Sequence, residues 1–379
     1  MKKKIFVIGP IMPFTGGIAH SNTVLCSNLA KNNDVTAISY SMMFPKLFYP
    51  GKSQKSGNRI KTKFKQKFIL NTLNPIFWIK IVSMIKKEKP EWVVFQWWHT
   101  YFFPSYYFIS FFAKIVSRST KLNIICHNVL PHEESIVMKL IHRPLTKLML
   151  RKTNKITALS ESELKVAKSL APRTKANFIL ENFYGEIIKG KKVSALMART
   201  KLKLPNKKII LSFGAVRQYK GVDDLLEAFA LLKNKNDYFL VVAGAFWDPV
   251  EKYIALAKKL EIEKNVLFVD KYIPDDEVPL YFGVADLLVL SHRTATQSAI
   301  PQLAYLYNVP MVATMAPGNI PFVDDNENGF LVPVKNPEEM SMAIQKFFDK
   351  RLSLKFKKGI RKKMKEFVWD DKKEECLFN

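Results

Sequence analysis

Residues 209–229 read IILSFGAVRQYKGVDDLLEAF, and this stretch decides the fold class. The apolar run 209–211 predicts a buried strand, and the pattern from residue 222 onward predicts a helix. The turn between them contains glycine and carries Arg217 and Lys220. A helix N-terminus presents unpaired N–H groups and a partial positive charge, so this turn favours a phosphate or diphosphate ligand.

Strand-like and helix-like segments alternate through the whole chain outward from that turn. Runs rich in Val, Ile and Phe without strict alternation are typical of parallel strands buried on both faces. Strands are expected at Lys4–Gly9, Val35–Ser39, Trp92–Gln96, Asn123–Cys126, Ile156–Leu159, Ile209–Phe213, Phe239–Ala243, Val266–Val269, Leu287–Leu290 and Met311–Ala313. The order predicts an α/β fold class with two Rossmann-like, doubly wound domains. Their boundary is expected in the basic segment Gly185–Asn206.

Composition limits the class of partner. Lys and Arg number 60 against 33 Asp and Glu, a formal charge of +27, which favours phosphates, nucleic acid or an anionic membrane face. Charge alone does not choose among these, but no nucleic-acid module is recognisable, so we expect no nucleic-acid partner. The three cysteines lie far apart with no zinc spacing, which indicates a reducing, cytosolic environment and no metal site.

Two apolar stretches could be mistaken for membrane-targeting segments. The run after the first lysines is interrupted by Gly9-Pro10, so we interpret it as the first strand and not as a signal peptide. The stretch Tyr101–Val116 contains Pro104 and Lys114 and falls short of the roughly 18 apolar residues of a membrane span. A helix packed on a sheet is the preferred interpretation.

Candidate site residues follow the predicted strands, where open α/β sheets bind their ligands. Gly16-Gly17 follows the first strand, and His127-Asn128 follows the strand at 123–126. Tyr272-Ile273 and the hydroxyl-rich segment 291–302 follow strands of the second half. Each feature has a plainer alternative, namely a tight loop, a structural histidine or an ordinary helix cap formed by a threonine or serine.

Together these residues resemble the large retaining glycosyltransferase family four. The resemblance rests on the Gly-Gly turn, HNVLPHE at 127–133, FGAVRQYKG at 213–221, YIPDDEV at 272–278 and ATQSAIPQLAYLYNVPMVAT at 295–314. It implies the GT-B architecture, in which two Rossmann-like domains face an interdomain cleft. It also implies transfer of a hexosyl or N-acetylhexosaminyl group from a nucleotide diphosphate sugar to a lipid-linked or saccharide acceptor, with retention, in bacterial-type surface polysaccharide or glycolipid synthesis.

The resemblance divides the chain into three regions. Residues 1–188 correspond to an acceptor-binding domain and residues 189–352 to a nucleotide-sugar-binding domain. Residues 353–379 correspond to a helix that crosses back to the first domain. No cofactor and no essential metal are implied, and a UDP-sugar is slightly preferred over a GDP-sugar as substrate.

Residue roles carry over by position. Arg217 and Lys220 resemble the pair that neutralises the donor diphosphate, and His127 resembles the histidine near the transferred sugar. Expected donor-binding residues are Gly16, Gly17, Tyr272, Ile273, Thr296, Gln297, Ser298 and Gln302. Expected acceptor residues are His20, Trp98 and His132. Fixed cations beside a departing diphosphate stabilise the charge that develops in the transition state.

One departure from the family pattern bears on activity. The family commonly carries two glutamates separated by seven residues, but the segment TATQSAIPQLA at 294–304 contains no acid. Gln302 can replace one carboxylate as a weaker hydrogen-bonding group, whereas nothing acidic stands near Thr294 or Ala295. A catalytically silent partner of another transferase is therefore the alternative.

The basic charge suggests where such an enzyme would act. The segment Gly51–Pro90 alternates many lysines with Phe and Trp and contains one acid, Glu88. This pattern is typical of a segment that lies on an anionic bilayer, although a solvated helix face is the alternative. We therefore expect a cytoplasmic protein bound peripherally to the inner face of the cell membrane.

Overall fold

The computed structural model describes residues 2–45, 55, 62–130, 136–179, 193–295 and 298–378, with the side chains of 136–139 left out. The chain divides into two compact units, one formed by Met1–Asn182 with Val368–Asn379 and the other by Phe183–Phe367. Each unit is built on its own parallel sheet.

The first unit alternates strands and helices along the chain. Its strands are β1 (Lys4–Ile8), β2 (Asp34–Met42), β3 (Lys65–Asn71), β4 (Trp92–Trp97), β5 (Lys121–Cys126), β6 (Lys155–Ala158) and β7 (Lys175–Phe178). Its helices are α1 (Gly17–Leu29), α2 (Pro75–Glu88), α3 (Phe103–Val116), α4 (Ile136–Lys152), α5 (Glu161–Leu170) and, at the end of the chain, α13 (Asp371–Phe378).

The seven strands are ordered β3-β2-β1-β4-β5-β6-β7. All pairings are parallel, and Ile5 of β1 lies between Val35 of β2 and Trp92 of β4. Residues of α2, α3, α4 and α5 join one buried apolar cluster, whereas residues of α1 and α13 join another. Both faces of the sheet are thus covered, which explains why β1 and β4 are almost wholly apolar.

The second unit repeats this architecture with six strands. Its strands are β8 (Lys208–Phe213), β9 (Tyr238–Gly244), β10 (Val266–Asp270), β11 (Leu287–Leu290), β12 (Met311–Thr314) and β13 (Gly329–Val332). Its helices are α6 (Ala195–Lys201), α7 (Val222–Ala230), α8 (Val250–Lys259), α9 (Val278–Val284), α10 (Ile300–Tyr307), α11 (Pro337–Asp349) and α12 (Ser353–Lys363). The strand order is β10-β9-β8-β11-β12-β13, again parallel throughout.

The predicted pair of doubly wound α/β domains is confirmed by these two sheets. The C-terminal division differs in detail from the prediction of a helix at 353–379 that returns to the first domain. Helix α12 and the residues up to Phe367 belong to the second unit, because Phe356, Ile360 and Phe367 are fully buried there. Only the chain from Val368 onward belongs to the first unit, where Leu377 accepts a hydrogen bond from Asn123 Nδ2 at 2.8 Å. The expected boundary at 188/189 lies outside the described residues.

The basic segment 51–90 also folds differently from the prediction of one amphipathic segment. Residues 65–71 form the edge strand β3, and the side chains of Leu70 and Trp78 are buried in the core. Most of the segment before Thr62 lies outside the described residues. Among the helices of the described part of the chain, none has both the length and the apolar character needed to cross a bilayer.

Candidate functional site

The turn after β8 brings Arg217 and Lys220 to the carboxyl end of the second sheet. Arg217 precedes a short 3-10 helix, Gln218–Lys220, and Gly221 is then the N-cap of α7 in the left-handed conformation, with φ of 61°. A Cβ on Gly221 would lie 2.3 Å from the Ser291 carbonyl oxygen. Glycine is therefore required here for its φ and for this close approach.

The loop after β11 packs directly against that turn. Ser291 Oγ donates to the Lys220 carbonyl at 2.8 Å, and the Arg293 N–H donates to the Tyr219 carbonyl at 2.8 Å. Strands β8 and β11 are neighbours, although β9 and β10 separate them in the chain. The two loops thus meet at the point where the strand order reverses, which is where open α/β sheets bind ligands.

Arg293 neutralises the acids at the start of α7. Its Nε donates to Asp224 Oδ2 at 2.8 Å, and its Nη2 bonds Asp224 Oδ1 at 2.6 Å and Asp223 Oδ2 at 2.8 Å. These contacts raise the pKa of Arg293 above its usual value, chiefly through the hydrogen bond to Asp224. Both carboxylates are therefore already paired with a cation.

Arg217 and Lys220 differ from Arg293 in this respect. Among the salt bridges between described residues, none involves either side chain. The Arg217 guanidinium lies instead over the Trp247 ring, with Cζ 3.9 Å from the ring centroid. This cation–π contact fixes the direction of the guanidinium without cancelling its charge.

Lys220 Nζ lies 3.1 Å from His292 Nε2. Burial, together with the neighbouring positive charge of Arg217, lowers the pKa of Lys220 to about 8. Burial also holds the pKa of His292 well below its usual range, with a further contribution from Lys220, while Asn319 acts in the opposite direction. His292 is thus a neutral acceptor, and the ammonium is held where an incoming anion would relieve its desolvation.

A buried polar network fixes the backbone beneath His292. Thr314 Oγ1 donates to the His292 carbonyl at 2.6 Å, and Asn319 Nδ2 donates to the Thr314 carbonyl at 3.1 Å. Thr314 ends β12, so three neighbouring strand ends of the sheet contribute to one site.

The other expected donor residues occupy varied environments. Tyr272 is 38% exposed after β10, and the adjacent Ile273 is buried. Ser298 is buried, and its Oγ has no hydrogen-bond partner among the described residues. Gln302 is fully buried on α10, while Thr296 and Gln297 lie outside the described residues.

The first unit places its glycine turn at the carboxyl end of β1. Gly16 has φ of 103° and ψ of 160° and directly precedes α1, and a Cβ built on it would meet no atom of the described residues within 4 Å. Gly17 begins α1, and the partly buried His20 follows in its first turn. No described residue crowds the backbone at Gly16, and its contact with the donor stays a prediction.

His127 lies at the end of β5 and is buried. Its Nε2–H donates to Gln96 Oε1 at 2.7 Å, and Gln96 comes from the neighbouring strand β4. Gly9, the residue after β1, leaves room for Gln96, because a Cβ there would lie 2.5 Å from Gln96 Cγ. The imidazole is therefore held against β4, the strand that lies between β5 and β1.

The other two expected acceptor residues are Trp98 and His132. The partly exposed Trp98 packs on Phe102 with ring centroids 4.2 Å apart. His132 lies outside the described residues. Within the described part of the chain, no group of three or more His, Cys, Asp or Glu could hold a metal ion.

Sequence reasoning missed several residues that shape these sites. Trp247 was not predicted, and His292 and Arg293 lay in the candidate segment 291–302 without an assigned role. All three contact the Arg217 turn from other strand ends, which no local pattern near 217–220 could show. Glu163 was also missed, although the pattern Ser160-x-x-Glu163 is a capping-box signal. Ser160 Oγ caps α5, and the Glu163 carboxylate accepts the N–H of Val129 in the loop that follows His127.

Comparisons with known proteins agree with this architecture. Residues 197–367 match the family profile described as Glycosyl transferases group 1. An uncharacterized glycosyltransferase of Haemophilus influenzae is 32% identical over 149 residues, 39% of this chain and 41% of that protein. The lipopolysaccharide core biosynthesis mannosyltransferase of Rhizobium meliloti is 27% identical over 176 residues, 43% of this chain and 48% of that protein. The chain thus spans less than half the length of each relative.

A solved structure extends the likeness to both units. HepE of Anabaena, in complex with UDP-glucose, matches with a TM-score of 0.73 and 15% identity, covering 96% of each chain. The fold is therefore the two-domain α/β GT-B fold of glycosyltransferases.

Proposed function

We propose that the chain is a glycosyltransferase that takes its sugar from a nucleotide diphosphate sugar. The observation that carries the proposal is the pair Arg217 and Lys220, two cations without a carboxylate partner among the described residues, at the strand-end switch point of the second unit. The acids nearby are already bound by Arg293, so the site favours an anion.

The chemistry assigned to this pair is stabilisation of the leaving diphosphate. As the bond between sugar and phosphate breaks, negative charge grows on the departing oxygen, and preorganised cations lower the barrier. Lys220 suits this role because its ammonium is desolvated before the ligand arrives. We assign the donor as a UDP-sugar in preference to a GDP-sugar, supported by the UDP-glucose bound to HepE, and we propose transfer with retention and without a metal.

Acceptor binding is assigned to the first unit. His127 lies at the carboxyl end of β5, and strand β4 separates β5 from β1, which the Gly16 turn follows. We propose that it contacts the transferred sugar from there. The acceptor is proposed to be lipid-linked or a saccharide of a surface polysaccharide, supported by the lipopolysaccharide role in the name of the Rhizobium relative. The protein would then act at the cytoplasmic face of the cell membrane.

A silent partner of another transferase is the second candidate. The absence of any acid from 294–304 favours it, and the full burial of Gln302 leaves no obvious substitute at the surface. In this case the Arg217 turn would still bind a nucleotide but no transfer would follow.

Calorimetry and turnover together test the proposal. Titration with UDP and GDP measures binding, and release of nucleoside diphosphate from a panel of nucleotide sugars measures turnover. The transferase proposal expects binding and turnover that both fall in Arg217→Ala and Lys220→Ala. Binding without turnover on the whole panel would favour the silent partner, and absence of both would reject the donor site.

A further inference from the structure

The outer side of three helices in the first unit leaves large apolar side chains in solvent. Helices α2, α3 and α4 cover one face of the seven-stranded sheet through their inner side chains. The exposed fraction of their outer apolar side chains ranges from 36% for Phe112 to 73% for Leu140. The set is Ile76, Ile79, Phe111, Phe112, Ile115, Leu140, Ile141 and Leu148, and we call it the α2–α4 face. A folded protein seldom leaves so many such side chains in one region without a partner.

Helix α3 packs against both of its neighbours, α2 and α4. Trp78 of α2 packs on Phe108 of α3 with ring centroids 5.6 Å apart, and Lys152 of α4 lies 4.5 Å from the centroid of Phe111 of α3. A groove of about 300 Å³ between α2 and α3 is lined by residues that include Ile79 and Phe112. The three helices therefore present their apolar side chains side by side.

Cations surround these apolar groups, and acids are almost absent. Glu88 is the one acid in the sequences of α2, α3 and α4, and it pairs with Lys67 at 3.6 Å. The basic side chains described on these helices are Lys80, Lys86, Lys87, Lys114, Arg143, Lys147, Arg151 and Lys152. Burial lowers the pKa of Lys114, as does the positive charge of Lys152. Neighbouring cations without anions make this surface complementary to a negative one.

We propose that the α2–α4 face lies on an anionic lipid bilayer, with its apolar side chains at the boundary of headgroups and acyl chains and its ammonium and guanidinium groups among lipid phosphates. Lys and Arg can lay their methylene stems along apolar surface while the charge reaches the headgroups. A second copy of the chain fits less well, because like charges would oppose each other.

The α2–α4 face differs from the membrane-binding segment predicted from the sequence. The basic segment 51–90 contributes only through α2, since β3 is an edge strand and Trp78 faces the core. The contributions of α3 and α4 come from residues that sequence reasoning had assigned to a packed helix or had not considered. The role of the face in meeting a lipid-linked acceptor rests on the proposed function, whereas bilayer binding itself does not.

Co-sedimentation of the full chain with lipid vesicles tests the proposal. The test variant is Ile79→Ser, Phe111→Ser, Ile115→Ser. The matched control is Leu196→Ser, Leu354→Ser, which removes apolar side chains that are 77% and 82% exposed in the second unit. The vesicles contain phosphatidylcholine alone or mixed equally with phosphatidylglycerol.

The proposal expects the wild-type chain and the control to bind the anionic vesicles and to bind neutral vesicles much less. The test variant should lose binding by about tenfold or more, because the buried apolar area drives insertion. High salt should weaken wild-type binding by screening the headgroup contacts.

Three results would overturn the proposal: no binding of the wild-type chain to anionic vesicles, equal loss in the control and the test variant, or a wild-type dimer that the test variant loses while vesicle binding persists. UDP titration of the test variant distinguishes failure of the membrane proposal from failure of the proposed function. The Arg217 turn belongs to the other unit, so UDP affinity should match that of the wild type whatever the vesicles show.

Discussion

Replacing Lys220 by alanine removes the ammonium that lies 3.1 Å from His292 Nε2. A charge-assisted hydrogen bond to a diphosphate contributes about 1.5–3 kcal/mol, so UDP affinity should fall by about tenfold to 150-fold. Folding should respond in the opposite way. The pKa of Lys220 is lowered from 10.5 to about 8, so keeping this ammonium charged in the unliganded protein costs roughly 3 kcal/mol at neutral pH. Alanine removes that cost, while losing the side-chain packing and the contact with His292 offsets part of the gain.

The assay for Lys220→Ala joins UDP calorimetry to thermal unfolding, with Lys264→Ala as the matched control. Lys264 also lies on a 3-10 helix of the second unit, Glu263–Asn265, but at the amino end of β10, away from the strand-end site. We expect Lys264→Ala to keep wild-type affinity and Lys220→Ala to lose affinity without a lower Tm. A Lys220→Ala chain that binds UDP within about threefold of wild type would refute the reasoning. So would a large fall in Tm, since it would make the lysine structural.

The other predictions concern single features of the two units. Diphosphate binding should raise the pKa of Lys220 from about 8, so UDP binding at pH 8 should take up protons. Calorimetry in buffers of different ionisation enthalpy measures this uptake, which Lys220→Ala should abolish. A binding enthalpy of the wild type that does not depend on the buffer would contradict the prediction. Burial raises the pKa of Glu163 from 4.5 to about 7, so the folded state holds this proton more tightly and the free energy of unfolding falls as pH rises from 4.5 to 7. Glu163→Gln should remove that fall, which denaturant unfolding would measure as up to about 3 kcal/mol. If the free energies of unfolding of wild type and Glu163→Gln change in parallel with pH, the assignment is wrong. Gly221→Ala should lower the free energy of unfolding by about 1–3 kcal/mol or more. The alanine Cβ would clash with the Ser291 carbonyl, and the backbone would keep its left-handed φ. An unchanged Tm would count against the turn geometry. Trp247→Ala should weaken UDP binding only about twofold to fivefold, because it removes a cation–π contact of about 0.5–1 kcal/mol that orients Arg217. A loss of UDP affinity as large as that of Lys220→Ala would show that Trp247 contacts the nucleotide itself.

The sequence predicted those elements whose apolar pattern is strong. The buried strands β1, β4, β5 and β8 follow from runs of Val, Ile and Phe that only a sheet covered on both faces would bury. The two edge strands of the first unit, β3 and β7, were missed for a physical reason. Both carry lysine and are only partly buried, so they resemble a basic surface segment until a neighbouring strand pairs with them.

Some residues of the candidate sites could be predicted from the sequence and others could not. The Arg217 turn could be predicted because glycine, two cations and a helix start are adjacent in the sequence. The partners of that turn could not, since Trp247 and His292 reach it from β9 and β11 only after the sheet has formed. The burial of His127 against Gln96 likewise depends on the pairing of β4 with β5.

A crystal structure of the full chain with UDP tests the diphosphate site most directly. We predict the two phosphates within hydrogen-bonding distance of Arg217 and Lys220, at the carboxyl ends of β8 and β11. UDP bound with its phosphates away from both side chains, or contacting Arg293 after displacement of Asp223 and Asp224, would contradict the assignment.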